Sequence, residues 1–178
     1  MNIVVLNGSP RHNGNTNAVL QKMKQKLLEY HAVEVLDVCS MDLSGCRACD
    51  GCKQNGGHCI CSDDSDAVIQ KVSKADAVIF GTPVYWWGMS AQLKMVVDKF
   101  YAQNAQFQTM KKEVGVVAIG ANELENAQYR LIREQFSCIT DYLGWEFAFF
   151  LTYSAYEPEE ICKDPNLDHT IQEALDRL

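Results

Sequence analysis

The sequence predicts an α/β fold in which a five-stranded parallel sheet lies between two layers of helices. Three observations lead there. Short apolar runs, Ile3–Leu6, Ala77–Gly81 and Val114–Gly120, have the composition of strands buried on both faces. Stretches with apolar residues at helical spacing lie between the strands, so the two element types alternate five times. No repeat or linker interrupts the alternation, and 178 residues is the length of one domain, 1–178.

The elements follow in chain order. Ile3–Leu6 is the first strand, and Val19, Met23, Leu27 and Tyr30 share one face of the first helix. Val33–Val38 alternates and is β-branched, as a strand should be. Gly45–Cys61 is a Cys- and Gly-rich loop. Asp63 and Asp64 after it suit the first turn of a helix carrying Ala67, Val68 and Val72. Ala77–Gly81 is the central strand. Leu93, Val96, Val97, Phe100 and Tyr101 form the stripe of the next helix, and Gln103–Lys112 is a polar connection. Val114–Gly120 is the fourth strand. A helix follows with Tyr129, Ile132, Phe136, Ile139 and Leu143 on one seam, stopped by Gly144. Trp145–Tyr153 is the last strand. A turn at Asp164–Asn166 precedes a short helix with Ile171, Leu175 and Leu178.

Composition narrows the function. The formal charge is −7, which argues against nucleic acid and anionic membranes as partners. No apolar run is long enough to span a bilayer, and Met1 leads straight into a strand, so a cytoplasmic protein is expected. There the eight cysteines read as thiols, metal ligands or redox groups rather than a disulfide framework.

The loop after the first strand, Asn7–Asn17, joins a buried strand to a helix N-terminus. Free N–H groups and the helix dipole make such a place an anion site. Ser9, Arg11, Asn15, Thr16 and Asn17 can add donors to phosphate oxygens, and Gly8 and Gly14 allow a close backbone approach. The competing reading is that Asn and Thr merely cap the helix. Neither G-x-x-x-x-G-K-[ST] nor G-x-G-x-x-G is present, which argues against a P-loop NTPase and a dinucleotide turn. The loop after the third strand, Pro83-Val84-Tyr85-Trp86-Trp87-Gly88, places three aromatics in a surface connection, where they suit a flat heteroaromatic ring or a packing surface. Phosphate at one loop and a ring at the other describe a phosphorylated planar ligand, and FMN fits. In parallel folds such loops meet at the carboxyl edge of the sheet.

Asn7-Gly8-Ser9-Pro10-Arg11 with Gly14-Asn15-Thr16, and the run Gly81–Lys94, resemble the NADPH-dependent FMN reductase family of flavodoxin-like flavoproteins. The resemblance implies a flavodoxin-like three-layer sandwich, strand order 2-1-3-4-5, and non-covalent FMN. Ser9, Arg11, Asn15, Thr16 and Asn17 match positions holding phosphate and ribityl chain; Pro83, Val84, Tyr85, Trp86, Trp87 and Gly88 match those holding the isoalloxazine, with Gly120 opening the third loop of the site. One departure is Gly120-Ala121-Asn122-Glu123-Leu124-Glu125, where relatives often have a glycine-rich loop. Its two carboxylates would bear on substrate choice and flavin potential.

Cys46-x2-Cys49-x2-Cys52-x6-Cys59 resembles the compact motif of the iron–sulfur flavoproteins, which hold a [4Fe–4S] cluster; the spacing also suits zinc, and free thiols or a labile disulfide are the third reading. Cys61 is a surplus thiol. Cys39, Cys138 and Cys162 are isolated, and among the histidines only His58 sits beside a cysteine of the loop. The loop leaves the second strand on the ligand edge and is expected near the flavin.

The implied function is an FMN-dependent oxidoreductase. NAD(P)H delivers hydride, and a small-molecule acceptor (a quinone, a nitro or azo compound, or flavin) receives it. The cofactor carries the chemistry, so no side chain is named as catalytic. The alternative is an iron–sulfur flavoprotein passing single electrons between partner proteins. A third is a thiol-based or zinc-stabilised binding module without flavin. A homodimer is expected, with Trp86 and Trp87 at its interface.

Overall fold

The structure, a computed structural model, describes residues 1–178. Five parallel strands, β1 (Asn2–Asn7), β2 (Ala32–Asp37), β3 (Ala77–Pro83), β4 (Glu113–Gly120) and β5 (Glu146–Ser154), lie in the order β2-β1-β3-β4-β5. The helices are α1 (Asn15–Leu27), α2 (Gly51–Gln54), α3 (Ser65–Lys74), α4 (Ala91–Lys99), α5 (Asn104–Phe107), α6 (Ala127–Leu143) and α7 (Leu167–Leu175). Single 3₁₀ turns at Phe100–Gln103 and Glu160–Lys163 complete the chain.

The sandwich follows from side-chain alternation along each strand. Ile3, Val5, Ala77 and Ile79 point to one face and bury against Val19, Leu20 and Met23 of α1 and Ile171 of α7. Val4, Leu6, Val78 and Phe80 point to the other and bury against α3, α4 and α6 through Val68, Leu93, Val96, Ile132 and Phe136. The chain leaves β1 toward β2 on one side and returns past β1 to β3 on the other. That reversal opens the crevice between the carboxyl ends of β1 and β3, where ligands of such sheets bind.

Several local expectations are corrected. Helix α1 stops at Leu27, so Tyr30 lies in an exposed turn rather than on the buried face. Ala67 is exposed, while Val68, Ile69 and Val72 carry the buried stripe of α3. The polar connection 103–112 contains α5, whose Phe107 is buried against Phe100 and Trp145. Two helical turns beyond five were missed because α2 and α5 are four residues each, too short to show a periodicity. Gly144, at φ 68°, closes α6 as expected.

Candidate functional site

At the carboxyl edge a cavity is lined by Ser9, Arg11, Gly14, Asn15, Thr16, Pro83, Val84, Tyr85, Ile119, Gly120, Ala121, Ala155, Tyr156 and Pro158. Three of the expected loops therefore meet there. The fourth contributor, Ala155–Pro158 after β5, was not anticipated; its position on the same edge of a parallel sheet was the available signal. Among the expected cofactor positions, Asn17, Trp86, Trp87 and Gly88 do not line the cavity.

The first loop owes its shape to close packing. The Gly8 N–H donates to Gly81 O at 2.8 Å, and a Cβ on Gly8 would sit 2.8 Å from Ser90 Oγ and 2.9 Å from Leu93 Cβ. Only glycine lets β1 run so close to the start of α4. Gly14 is the N-cap of α1 and no side chain caps the helix, so the capping reading of Asn15, Thr16 and Asn17 is not what the structure uses. The backbone N–H groups of these three residues donate to no protein acceptor. They form, with the helix dipole behind them, a convergent donor set suited to a phosphate.

The side chains divide the work differently from the sequence expectation. Asn15, 8% exposed, uses both polar atoms to tie down the β5 loop: Nδ2 donates to Glu157 O at 2.9 Å and Oδ1 accepts from Ile161 N at 3.1 Å. Asn17 Nδ2 donates to His12 O at 2.6 Å, and its Oδ1 accepts from Asn7 Nδ2 at 3.4 Å. Both amides hold loops. Ser9 Oγ accepts from Arg11 N at 3.3 Å, while the Arg11 guanidinium makes no hydrogen bond or ion pair within the protein and lines the cavity. Thr16 is buried on the same wall.

The ring-side loop is a two-residue hairpin. Tyr85 and Gly88 exchange N–H···O bonds at 3.0 Å in both directions, and Trp86 (φ 47°) and Trp87 (φ 62°) occupy its turn. Hairpin turns with two left-handed residues normally take Asn and Gly, because a side chain there costs about 1–2 kcal/mol. Two tryptophans in that conformation, one of them 91% exposed, mark a place where stability has been given up. Behind the loop, Thr82 Oγ1 accepts from Ser90 N at 2.9 Å and Ser90 caps α4. Across the cavity, Tyr129 donates to Asn122 O at 2.9 Å and Tyr153 O at 3.1 Å, which fixes the β4 loop; burial pushes its phenol up. Sequence periodicity showed Tyr129 only as a core residue. Glu123 and Glu125 are exposed and outside the cavity.

The cysteine loop sits elsewhere. Cys46, Cys49, Cys52, Cys59 and Cys61 line one small pocket with Lys99, Tyr101 and Ala102, at the carboxyl end of α4. That pocket shares no lining residue with the cavity at the sheet edge. The loop follows β2 and is tied to α3 by Asp66, which accepts from the Cys59 N–H, and to α4 by Lys99. The Lys99 side chain is 1% exposed and its Nζ lies 2.5 Å from Asp63 Oδ2, itself 4% exposed. Lys99 also donates to Ser65 Oγ at 2.9 Å and Ser44 Oγ at 3.4 Å, so one ammonium joins both ends of the loop. Burial alone would raise the Asp63 pKa; hydrogen bonds from Lys99, Ser44 and Ser65 prevail and hold it well below the usual carboxylate range. The expectation of Asp63 as a first-turn helix residue is thus corrected: it is the counter-ion of Lys99.

No three of the loop's Cys, His, Asp or Glu side chains converge as a metal would require. Arg47 Nη2 donates to Cys61 Sγ at 3.4 Å. The thiols line one shallow pocket, Cys46 and Cys49 exposed at its rim, and are not arranged as a ligand set. His58 faces Asp66, with Nδ1 2.9 Å from Oδ2. Cys39 lies apart, its thiol pushed up to about 11 by burial and then by Asp37.

The NADPH-dependent FMN reductase family matches residues 1–137. An iron–sulfur flavoprotein of Methanocaldococcus jannaschii is 36% identical over 123 residues, which is 68% of this chain and 63% of that protein, under two thirds of its length. A Bacillus subtilis protein provisionally named NAD(P)H-dependent FMN-containing oxidoreductase YwqN is 27% identical over 191 residues, covering 100% of this chain and 96% of its own. Among solved structures, an FMN-dependent NADH-azoreductase of Bacillus anthracis in complex with FMN superposes with a TM-score of 0.72 at 11% identity, over 99% of each chain. At that identity the likeness shows the fold.

Proposed function

The chain belongs to the NADPH-dependent FMN reductase family, and from that premise we propose that it is an FMN-dependent oxidoreductase that takes hydride from NAD(P)H and reduces a quinone, a nitro or azo compound, or free flavin. The observation that carries the reading is the set of N–H donors without protein acceptors at the start of α1, beside an Arg11 with no protein partner and facing the Pro83–Tyr85 wall. The residues suit the group. The N–H groups of Asn15, Thr16 and Asn17, with Arg11, would hold the phosphate, and Pro83, Val84, Tyr85 and Gly120 would border the ring. Bound there, the flavin would supply hydride and electron transfer. The protein's part is to bind, orient and shield it. Asn15 does this indirectly, by fastening the Ala155–Pro158 wall.

The reading includes a homodimer. The cavity is only about 180 Å³, small for a whole flavin mononucleotide, so the ring end would overhang the edge beside Trp86 and Trp87. Further exposed apolar side chains, Tyr101 after α4 and Leu131 and Tyr142 on α6, lie on the layer that also carries a groove lined by Val97 and Ile139. A second copy on that face would cover both. Its partner in the reaction is a small acceptor; the acidic surface offers nothing to nucleic acid, and no helix is long and apolar enough to cross a membrane. The cytoplasm, where NAD(P)H is available, is the compartment this reading expects.

The second reading, a cluster-bearing carrier of single electrons, draws on the five thiols sharing one pocket and on the iron–sulfur name of the Methanocaldococcus relative. Anaerobic purification decides between them. Yellow protein whose flavin absorbance bleaches with NAD(P)H alone supports the reductase. Brown, iron-containing protein that bleaches only with a reductase partner supports the carrier, and colourless protein that takes up no FMN refutes both.

A further inference from the structure

We propose that Tyr156 covers the flavin, its ring closing the β5 side of the cavity over the stretch of ligand between phosphate and isoalloxazine. This rests on the FMN reading above and deepens it by one residue. The backbone that carries Tyr156 is pinned at both ends of the site. On one side the Ala155 N–H donates to Gly120 O at 2.9 Å, and Gly120 borders the cavity where the ring would lie. On the other, Glu157 O accepts from Asn15 Nδ2 at 2.9 Å, at the start of α1, where the phosphate would lie. Tyr156 is fixed between these two points and lines the cavity. A second clamp holds the same residues from outside. One oxygen, Glu160 Oε2, accepts from the Tyr156 N–H at 2.7 Å and from the Glu157 N–H at 2.9 Å.

The loop is ordered at a cost. Glu159, beside the clamp, is left-handed at φ 57°, a conformation that persists only where its surroundings enforce it. The side chain that this rigid backbone presents is 73% exposed; its ring stacks on no other ring of the protein, and its hydroxyl makes no hydrogen bond within it. A fixed backbone holding out a free aromatic face suits a flat ligand, and a tyrosine covers one at little cost in side-chain freedom. The cavity has room for such a cover. At about 180 Å³ it leaves part of a flavin outside its walls, with Tyr85, 41% exposed, at the β3 side and Tyr156 at the β5 side. The contact is made by the ring, and the hydroxyl is not required.

The test is hydroxyl-radical footprinting of the full-length reduced protein, with and without saturating FMN, read by peptide mass mapping. FMN should slow oxidation of Tyr156 at least about threefold, while Tyr30, 81% exposed and outside the cavity, keeps its rate. Tyr156→Ala should weaken FMN about tenfold in calorimetry and leave the urea midpoint of the FMN-free protein unchanged. Tyr156→Phe should restore the affinity. Protection of Tyr85 without protection of Tyr156 would overturn the assignment and leave the FMN reading standing. So would an alanine variant with full affinity, or one that loses stability without FMN, which would make the ring a packing residue. A phenylalanine variant as weak as alanine would place the contact at the hydroxyl and overturn the ring's role. Wild-type protein that binds no FMN in calorimetry would instead refute the FMN reading, and this inference with it.

Discussion

The first loop and the cysteine loop leave the same edge of the sheet from adjacent strands, and they are held in opposite ways. The first is fastened at many points: Gly8 to Gly81, Asn17 to Asn7 and His12, Asn15 to Glu157 and Ile161. Ser9, Asn15 and Thr16 are buried, and the donors left over face the cavity. The cysteine loop is exposed or half-exposed through residues 42–64; its two ends are tied to the buried Lys99, and its middle is held at the surface by Lys53 on Tyr101 O and Asn104 and by Asp66 on Cys59 N–H and His58. A distributed set of bonds tolerates the loss of one member and keeps a binding site preformed. A single buried ammonium closes the base of the loop, and its removal should loosen the ends at Ser44 and Asp63 first.

The contrast can be broken most sharply at Lys99. Lys99→Met removes the cation and leaves Asp63 buried and unpaired, a loss of about 3–5 kcal/mol. Urea unfolding should show it, and limited proteolysis should cut between residues 44 and 63 while α1 and β3 resist. The same pair has a pH signature. Asp63 is depressed in the folded state, so its contribution is complete above its unfolded value, near pH 4, and is lost as pH falls from there through the folded value. Lys99→Met should flatten the acid limb of the stability curve.

The preformed donors are tested by removing the ligand's phosphate. Each charge-assisted bond is worth about 1.5–3 kcal/mol, so riboflavin should bind at least about a hundredfold more weakly than FMN. Calorimetry giving equal affinities would mean that the α1 N–H groups and Arg11 do not hold a phosphate. The smallest effect is at the hairpin. Trp86→Asn with Trp87→Gly should raise stability by about 1 kcal/mol by relieving two left-handed side chains. It should also slow acceptor reduction. A stability loss would show instead that the tryptophans are supported by packing.

The strands, their order of alternation and the meeting of loops at one edge were legible because each rests on local pattern. The strand order itself came from the resemblance, since alternation alone does not fix which strands are neighbours. What stayed hidden depends on distant partners. Asn15 had the composition of a phosphate ligand, yet its amide is committed to residues 142 and 146 positions away. Lys99 and Asp63 were invisible as a pair because one closes a helical stripe and the other follows a loop 36 residues earlier. Trp86 and Trp87 were expected to be exposed and are, but nothing in their neighbours announced a left-handed turn, which Asn and Gly would have signalled.

Helix α4 starts at the flavin edge, capped by Ser90, and ends at Lys99 beside the thiols. Nine residues at 1.5 Å each make it a spacer of about 13 Å. Lys99, which anchors the thiol loop, and Ser90, the cap behind the Tyr85–Gly88 turn, are opposite ends of one rigid element, so a shift of the helix moves both.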